Sequence, residues 1–328
     1  MSTAHWYRDF AVREARGLSP TYEALAIAVS ADRRVLALLD GLPADKRQPN
    51  LLFAAARYLG APMAVPEEFG SWVVRHWSQL SVTMRHRRTQ TNEPARCATL
   101  LPLLARLPQP LALLEVGASA GLCLYPDAYR YRYRDDASVL GPADSPVLLT
   151  CSINGDVPLP SAVPTVVWRA GIDLNPLDVA DDDDLRWLEA LIWPEQQPRR
   201  DRLHAAARIA RADPPYLIKG DLLTDLPPLA AQAPADATLV IFHSAVLTYV
   251  PPDVRAAFIE LVRGLRGHWI SNEGVGVLPD LAATVDVEGG GPARFLLSLD
   301  GEPVAFTGPH GQEIDWLTPA RHGAAGSS

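Results

Sequence analysis

Three cysteines in 328 residues leave little room for a disulfide framework. Cys97, Cys123 and Cys151 are odd in number, and none stands in the paired C-x-x-C spacing of a zinc knuckle. Cys97 and Cys123 lie in apolar surroundings, where a thiol acts as a small hydrophobe. Long apolar runs are missing too: none approaches the ~20 residues that span a bilayer. The first residues carry Arg8, Asp9, Arg13, Glu14 and Arg16 and so lack the apolar core of a secretion signal. These absences point to a cytoplasmic chain with no membrane partner and no thiolate metal site. What is present is ordinary, 48% hydrophobic and 21% charged residues, enough for one large core or two smaller ones.

The net charge of −8 is unevenly spread. Residues 1–110 hold 14 Lys/Arg against 9 Asp/Glu, and the remainder holds 16 against 29. An acidic main body opposes binding along nucleic acid, which depends on neutralising phosphates. The basic excess in the first third reads as solvated helix faces, with attraction of a small anionic ligand as the functional alternative.

Residues 1–108 read as successive helices. Trp6, Phe10 and Arg13 mark a first, and Tyr22, Leu25, Ala26 and Val29 a second with Pro20 at its start. Val35 to Leu39 forms a third that stops at Gly41. Leu51–Leu59 and then Phe69, Trp72, Val73, His76 and Trp77 continue the pattern, with His76 packed in the core. A helix over 93–107 starts with Thr91 or Asn92 as cap. From Leu111 short apolar runs alternate with amphipathic stretches, as in βα units on a parallel sheet. The strands expected are Leu111–Val116, Thr165–Ile172, Tyr216–Lys219, Thr238–Phe242 and His268–Ser271. Helices are expected over Asp181–Ala190, Arg200–Arg211 and Pro252–Leu265, the first beginning with aspartates that suit a helix N-terminus. Phe295–Leu299 and Val304–Thr307 flank Asp300–Gly301 as a hairpin, with a further run at Gln312–Leu317 and a frayed tail at 319–328.

The segment Glu115-Val-Gly117-Ala-Ser119-Ala-Gly121 carries the most chemistry. A buried strand running into small residues lets a backbone approach a ligand and aims free N–H groups at it. A dinucleotide fingerprint fails at Ser119 and Leu122, and a Walker loop would need a Gly-Lys-Ser/Thr step. Gly117-Ala-Ser119-Ala-Gly121 does match the G-x-S-x-G elbow of serine hydrolases, with Asp173 or Asp221 and His243 or His310 following in order. Against the elbow, no strand precedes Leu111 to supply an oxyanion loop, and Pro126 cuts short the helix that should follow.

The same segment resembles the first motif of class I S-adenosylmethionine-dependent methyltransferases, and the likeness runs over roughly residues 93–318. Ser119 stands where that motif has its middle glycine. The resemblance implies that Glu115, Gly117, Ser119 and Gly121 hold the methionine moiety. It implies that Asp173, in Gly171-Ile-Asp-Leu-Asn-Pro176, binds the ribose and that Asp221 contacts the adenine. His243 and Ser244 would then lie beside the transferable methyl group. The whole chain also resembles a bacterial family with a domain of unknown function (domain of unknown function 2332), through Thr91 to Arg96, Glu115 to Gly121, Gly171 to Pro176 and Trp193-Pro194.

Asp173 follows Glu115 at a longer distance than a tight βαβ unit allows, so an insertion at about 128–160 fills the gap. In it Tyr129, Tyr131 and Tyr133 alternate with Arg130, Arg132 and Arg134. That alternation reads as an edge strand, or as an aromatic wall for a planar ligand. Val147 to Asp156 reads as a hairpin. Near the ends of strands or helices stand Asn92, Glu93, Arg96, Arg169, Tyr249, Asn272 and Glu273. Of these, Asn92, Glu93, Arg96, Arg169 and Tyr249 are taken as acceptor-binding. His243 is the expected general base, with Glu273 as the other candidate.

The expected architecture is α/β: a Rossmann-like, doubly wound, mostly parallel sheet over 109–318 with a C-terminal antiparallel hairpin. An all-helical region, 1–108, would cap its ligand edge. The expected activity is methyl transfer from S-adenosylmethionine to a small molecule, or its relic. A serine hydrolase using Ser119 and a non-catalytic binding module are the alternatives.

Overall fold

The computed structural model describes residues 2–90, 92–134, 138–285 and 294–317. Thr91, expected as a helix cap, and the tail 319–328 lie outside the described residues. The chain forms two compact units, one of Met1–Thr91 with Leu177–His204, the other of Asn92–Pro176 with Ala205–Ser328.

The first unit is helical. Its helices are Thr3–Phe10, Pro20–Ala31, Arg33–Asp40, Pro49–Tyr58, Pro66–Arg75, Trp77–His86 and Asp182–Leu191, and Gln197–Ala212 begins within it. Three of them start on a proline, whose missing N–H is among the donors a helix start leaves unpaired anyway. Ser19 caps the first of these, and Asp181 caps Asp182–Leu191 by accepting from the N–H groups of Asp183 and Asp184. The core is aromatic: the Phe53 ring lies 4.7 Å from Tyr22 and 5.8 Å from Phe69, and Trp193 lies 5.8 Å from Phe10. Tyr7 and Phe10 of the first helix are fully buried, whereas Trp6 is half-buried. Residues 177–204 join this core through specific polar contacts. Arg87 pairs with Asp183 and Asp184, Trp187 Nε1 donates to Arg88 O, and Trp193 Nε1 donates to Asn50 Oδ1.

The second unit is a mixed α/β structure on a large, mostly parallel sheet. Its strands are β1 (Leu111–Val116), β2 (Arg130–Arg132), β3 (Leu148–Thr150), β4 (Ser152–Asn154), β5 (Val166–Asp173), β6 (Tyr216–Lys219), β7 (Thr238–Ser244), β8 (His268–Gly274), β9 (Phe295–Leu299), β10 (Glu302–Thr307) and β11 (Glu313–Trp316). Nine of them form one sheet in the order β4-β11-β10-β9-β8-β7-β1-β5-β6. The run β6-β5-β1-β7-β8 is parallel throughout. β9, β10 and β11 then add on antiparallel, β9 and β10 turning at Asp300–Gly301.

β1 is buried along its whole length, as a strand covered on both faces must be. On one face Ala112, Leu114 and Val116 join Ile172, Leu239, Ile241, Phe258 and Trp269 in a continuous apolar cluster. Val147 to Asp156 does not fold on itself as the expected hairpin. β3 pairs with β2 in a separate two-stranded sheet and β4 with β11 at the far edge of the main one. The chain changes sheets at Cys151, whose N–H donates to Arg132 O while the next N–H donates to Gln312 O.

Candidate functional site

Connections from β1 lead to β5 and β6 on one side, and from β6 the chain returns across β1 to β7 and β8 on the other. The strand order therefore reverses between β1 and β7, and open α/β sheets bind ligands beyond the carboxyl ends of their strands at such a point. The segments there are 117–121 after β1, 174–176 after β5 and 244–247 after β7. The turn 308–312 after β10, which runs in the direction of β8, reaches the same edge.

The segment after β1 is held by its own peptides. Gly117, Ser119 and Gly121 all take left-handed conformations, at φ 70°, 51° and 69°. The N–H groups of Gly117 and Ala118 donate to Ile172 O at 2.8 and 3.2 Å, and that of Ser119 donates to Asp173 Oδ2 at 2.8 Å. Gly121 N–H donates to Ala118 O, and Leu122 N–H to Asn92 Oδ1 at 3.2 Å. The expectation of free N–H groups aimed at a ligand is corrected here, since these five are engaged within the protein. The glycines also have a different reason from the one expected. A Cβ on Gly117 would stand 2.4 Å from Val246 Cγ2, and one on Gly121 would stand 3.0 Å from Pro215 and 3.2 Å from Leu217. The small residues make room for neighbouring side chains. Ser119 is 3% exposed and its Oγ has no hydrogen-bond partner among the described residues. Asp173 ties two turns together, accepting from Ser119 N–H on one oxygen and from Asn175 N–H at 2.7 Å on the other.

Strand register divides the remaining candidates between the two faces of the sheet. Glu115 lies opposite Gly171 and Phe242, so it shares their face, whereas His243, the next residue after Phe242, points to the other. On the first face Glu115 is buried and its Oε2 has no partner among the described residues. Burial, then the neighbouring Cys123, pushes its pKa well above the ordinary carboxyl value; Asp173 adds to this and Arg96 opposes it. Arg96 is itself buried and donates from Nη1 to Ser244 O at 2.9 Å and from Nε to Pro309 O at 3.0 Å. It thereby fastens the segments after β7 and β10 together. Asn272 Nδ2 donates to Ser244 Oγ, and Thr307 Oγ1 donates to Asn272 Oδ1 at 2.7 Å. Asn92 binds the β1 segment directly, donating from Nδ2 to Ala118 O. Glu93, not Asn92, caps the turn that opens the following helix, accepting from Ala95 N–H; that helix spans Cys97–Leu104 rather than reaching 107.

On the second face His243 has no exposed surface, and both ring nitrogens are engaged. Trp269 Nε1 can only donate, so the Nε2 it meets at 3.1 Å accepts. The ring proton then sits on Nδ1 and is donated to Glu273 Oε1 at 2.7 Å. The role of general base for a bound substrate does not survive this arrangement, because His243 has no lone pair left to offer. Glu273 Oε1 also accepts from the N–H groups of Val246 at 2.9 Å and Leu247 at 3.1 Å, while its buried Oε2 has no partner.

Other candidates have structural work. Arg169 lies opposite Leu113, part-way along the sheet rather than at its carboxyl edge. It forms a two-pronged pair with Asp127 at 2.9 and 2.7 Å and covers the Tyr125 ring, which removes it from acceptor binding. Burial opposes its charge, but the Asp127 hydrogen bond and attraction outweigh that and raise its pKa. Asp221 is exposed and accepts from the N–H groups of Leu223 and Thr224, forming its own turn. Tyr249 is 75% exposed. The three tyrosines of the insertion are buried and donate to Leu122 O, Pro126 O and Ala98 O, so they brace the chain and offer no wall to a ligand. For the hydrolase alternative, Asp173 meets the Ser119 backbone and not its hydroxyl. No Ser119–His243 pair is assembled. Val246 and Thr307 are parts of the edge that sequence reasoning missed, as is Trp269, which lies part-way along β8 and reaches His243 from there. Only their pairings across the sheet bring them in, and no local motif marks them.

A groove of about 460 Å³, lined by Arg106, Gln109, Leu159 and Pro164 among others, lies beside the residues that precede β1 and β5, at the opposite end of those strands. Among the described residues no group of three or more His, Cys, Asp and Glu is placed to hold a metal. No described helix is long and apolar enough to cross a membrane. No curated protein and no solved structure matches the chain. A family model described as "Uncharacterized protein conserved in bacteria (DUF2332)" matches residues 4–316, nearly the whole chain, and the protein belongs to that family.

Proposed function

We propose that the carboxyl edge of the sheet unit binds S-adenosylmethionine, as in a Rossmann-like methyltransferase, and passes its methyl group to a small-molecule acceptor. The observation that carries the reading is the Asp173–Ser119 tie across the ends of β5 and β1, at the place where the strand order reverses. Each Asp173 oxygen accepts one N–H group and keeps a further lone pair for a hydroxyl, which suits a ribose diol. Two buried oxygens without partners among the described residues, Glu115 Oε2 and Ser119 Oγ, flank the same turn and fit polar groups of the donor's amino-acid end. When bound, the sulfonium supplies an electrophilic methyl carbon. The chain's residues would fix the donor and align the acceptor, so that proximity provides most of the acceleration. His243 and Glu273 face away from Glu115 and hold each other, so the acceptor is one whose attacking atom keeps or loses its proton without them.

Calorimetric titration of the full chain with S-adenosylmethionine and S-adenosylhomocysteine tests the reading. Saturable binding that is weakened about 100-fold or more in Asp173→Ala supports it, the loss being that of hydrogen bonds to a charged group. Absence of binding to either compound removes it. Labelling by a fluorophosphonate that disappears in Ser119→Ala would move the assignment to the hydrolase class.

A further inference from the structure

Glu273 is a buried acid at the end of β8, on the face of the sheet turned away from Glu115, and methyl transfer gives it nothing to do. Its Oε1 gathers three donors, His243 Nδ1–H, Val246 N–H and Leu247 N–H, at 2.7, 2.9 and 3.1 Å. Two of them belong to the segment that leaves β7. That segment contains Ala245 at φ 58°, a conformation a residue with a Cβ adopts only when its surroundings impose it. The left-handed step delivers the Val246 side chain to the open side of Gly117, where it fills the volume a Cβ would need. Ala245 N–H is fixed in turn to Asn272 O, and Ser244 O to Arg96.

From this chain of contacts we infer that Glu273 is a positioning residue: it sets the shape of the ligand turn after β1 by holding Val246 against Gly117. The His243–Trp269 bond supports the same carboxylate from behind, by fixing the His243 tautomer so that Nδ1 carries the proton Glu273 accepts. The ligand consequence rests on the nucleoside-binding reading above, while the mechanical consequence does not. Loss of Glu273 Oε1 frees two peptide N–H groups and relaxes Ala245. Val246 then lifts, and Gly117–Gly121 keeps its own hydrogen bonds but loses the neighbour packed against its first left-handed residue. Glutamine at 273 keeps a carbonyl oxygen in the place of Oε1, with two lone pairs for the three donors, so it should rescue part of what alanine loses.

Amide hydrogen exchange of the full chain resolved by residue, with Glu273→Ala, Glu273→Gln, Val246→Ala and the Glu273→Ala/Val246→Ala double variant, separates the outcomes. The inference predicts exchange about tenfold faster at Val246, Leu247 and Gly117–Gly121 in Glu273→Ala, with Leu113 and Leu114 unchanged. It predicts exchange in Glu273→Gln between that of the wild type and that of Glu273→Ala. It also predicts that the double variant changes Gly117–Gly121 no more than Val246→Ala alone, since the two residues act in series. Unchanged exchange at Gly117–Gly121 in Glu273→Ala, or additive effects in the double variant, would overturn it. Should Glu273→Ala prove too unstable, Val246→Ala with Glu273→Gln carries the test. Titration of the same variants with S-adenosylhomocysteine adds the ligand arm. About tenfold weaker binding in Val246→Ala agrees with positioning, and tighter binding means that Val246 blocks the site and overturns the inference. If the wild-type protein does not bind the nucleoside, the exchange results still decide the role of Glu273.

Discussion

In the helical unit Glu195 receives Ser19 Oγ–H and Thr21 N–H; in the sheet unit Glu115 sits buried with one oxygen unmatched. Burial raises the pKa of both, but at Glu195 the hydrogen bonds outweigh it and the net shift is downward, whereas at Glu115 burial prevails. The same contrast recurs. Asp183 and Asp184 of the helical unit meet Arg87, while a second unmatched carboxyl oxygen, on Glu273, is found at the strand ends of the sheet unit. The carboxylates of the first unit hold helices and loops together. In the second, Glu115 and Glu273 each keep one oxygen without a partner among the described residues, near the carboxyl ends of the strands, and buried polar atoms without partners carry a standing cost.

The comparison is most sharply tested at two glycines with similar φ. Gly60 of the helical unit has φ 81° and open space where a Cβ would stand, whereas Gly117 has φ 70° and Val246 at 2.4 Å. Gly60→Ala should cost about 1–2 kcal/mol from backbone strain alone. Gly117→Ala should cost about 3 kcal/mol or more, because overpacking adds to the strain. Urea denaturation of the two variants measures the difference, and equal costs would mean that the β1 turn is no more constrained than a surface loop.

A smaller effect is expected at Glu115. Its folded pKa lies above the unfolded value, so stability falls as pH rises from about 4.5 through the raised folded pKa. Glu115→Gln, which cannot ionise, should leave stability unchanged at pH 4 and raise it by about 1 kcal/mol or more at pH 8. Thermal melts at the two pH values show this directly. Glu195 has the opposite sign. Its folded pKa is lowered, so its contribution is present above the ordinary carboxyl range and lost as pH falls through the folded value. Glu195→Gln should lower the melting temperature at pH 7, and the difference should shrink as pH falls through the folded value. The shift should be the smallest of the set, because the group is mostly solvated.

Much of the fold was legible because its signals are local. Leu111–Val116 and Tyr216–Lys219 stand out as apolar runs and appear as β1 and β6 with the expected limits. The Asp181 start was readable from helix-cap chemistry, and its helix runs over Asp182–Leu191. Of the site, the β1 turn and its neighbour Asn92 could be anticipated from position in the chain. The fate of His243 could not. Its partners Glu273 and Trp269 come from β8, and only the β7–β8 register aligns them with it. The division of Glu115 and His243 between two faces follows from strand periodicity once the β1–β7 register is known, and no spacing in the sequence supplies that register. Residues 177–204 were likewise unplaceable, because their tie to the N-terminal helices rests on single side chains such as Trp187 and Trp193 meeting Arg88 and Asn50.

The most direct measurement is a hydrogen-exchange footprint of the full chain with and without S-adenosylhomocysteine. The account predicts protection confined to 115–121, 173–176 and 244–247, and none in the helices of Met1–Thr91 that surround Phe53. A bound nucleoside that protects the groove at Gln109 and Pro164 instead, or leaves the Asp173–Ser119 turn as exchangeable as before, would contradict it.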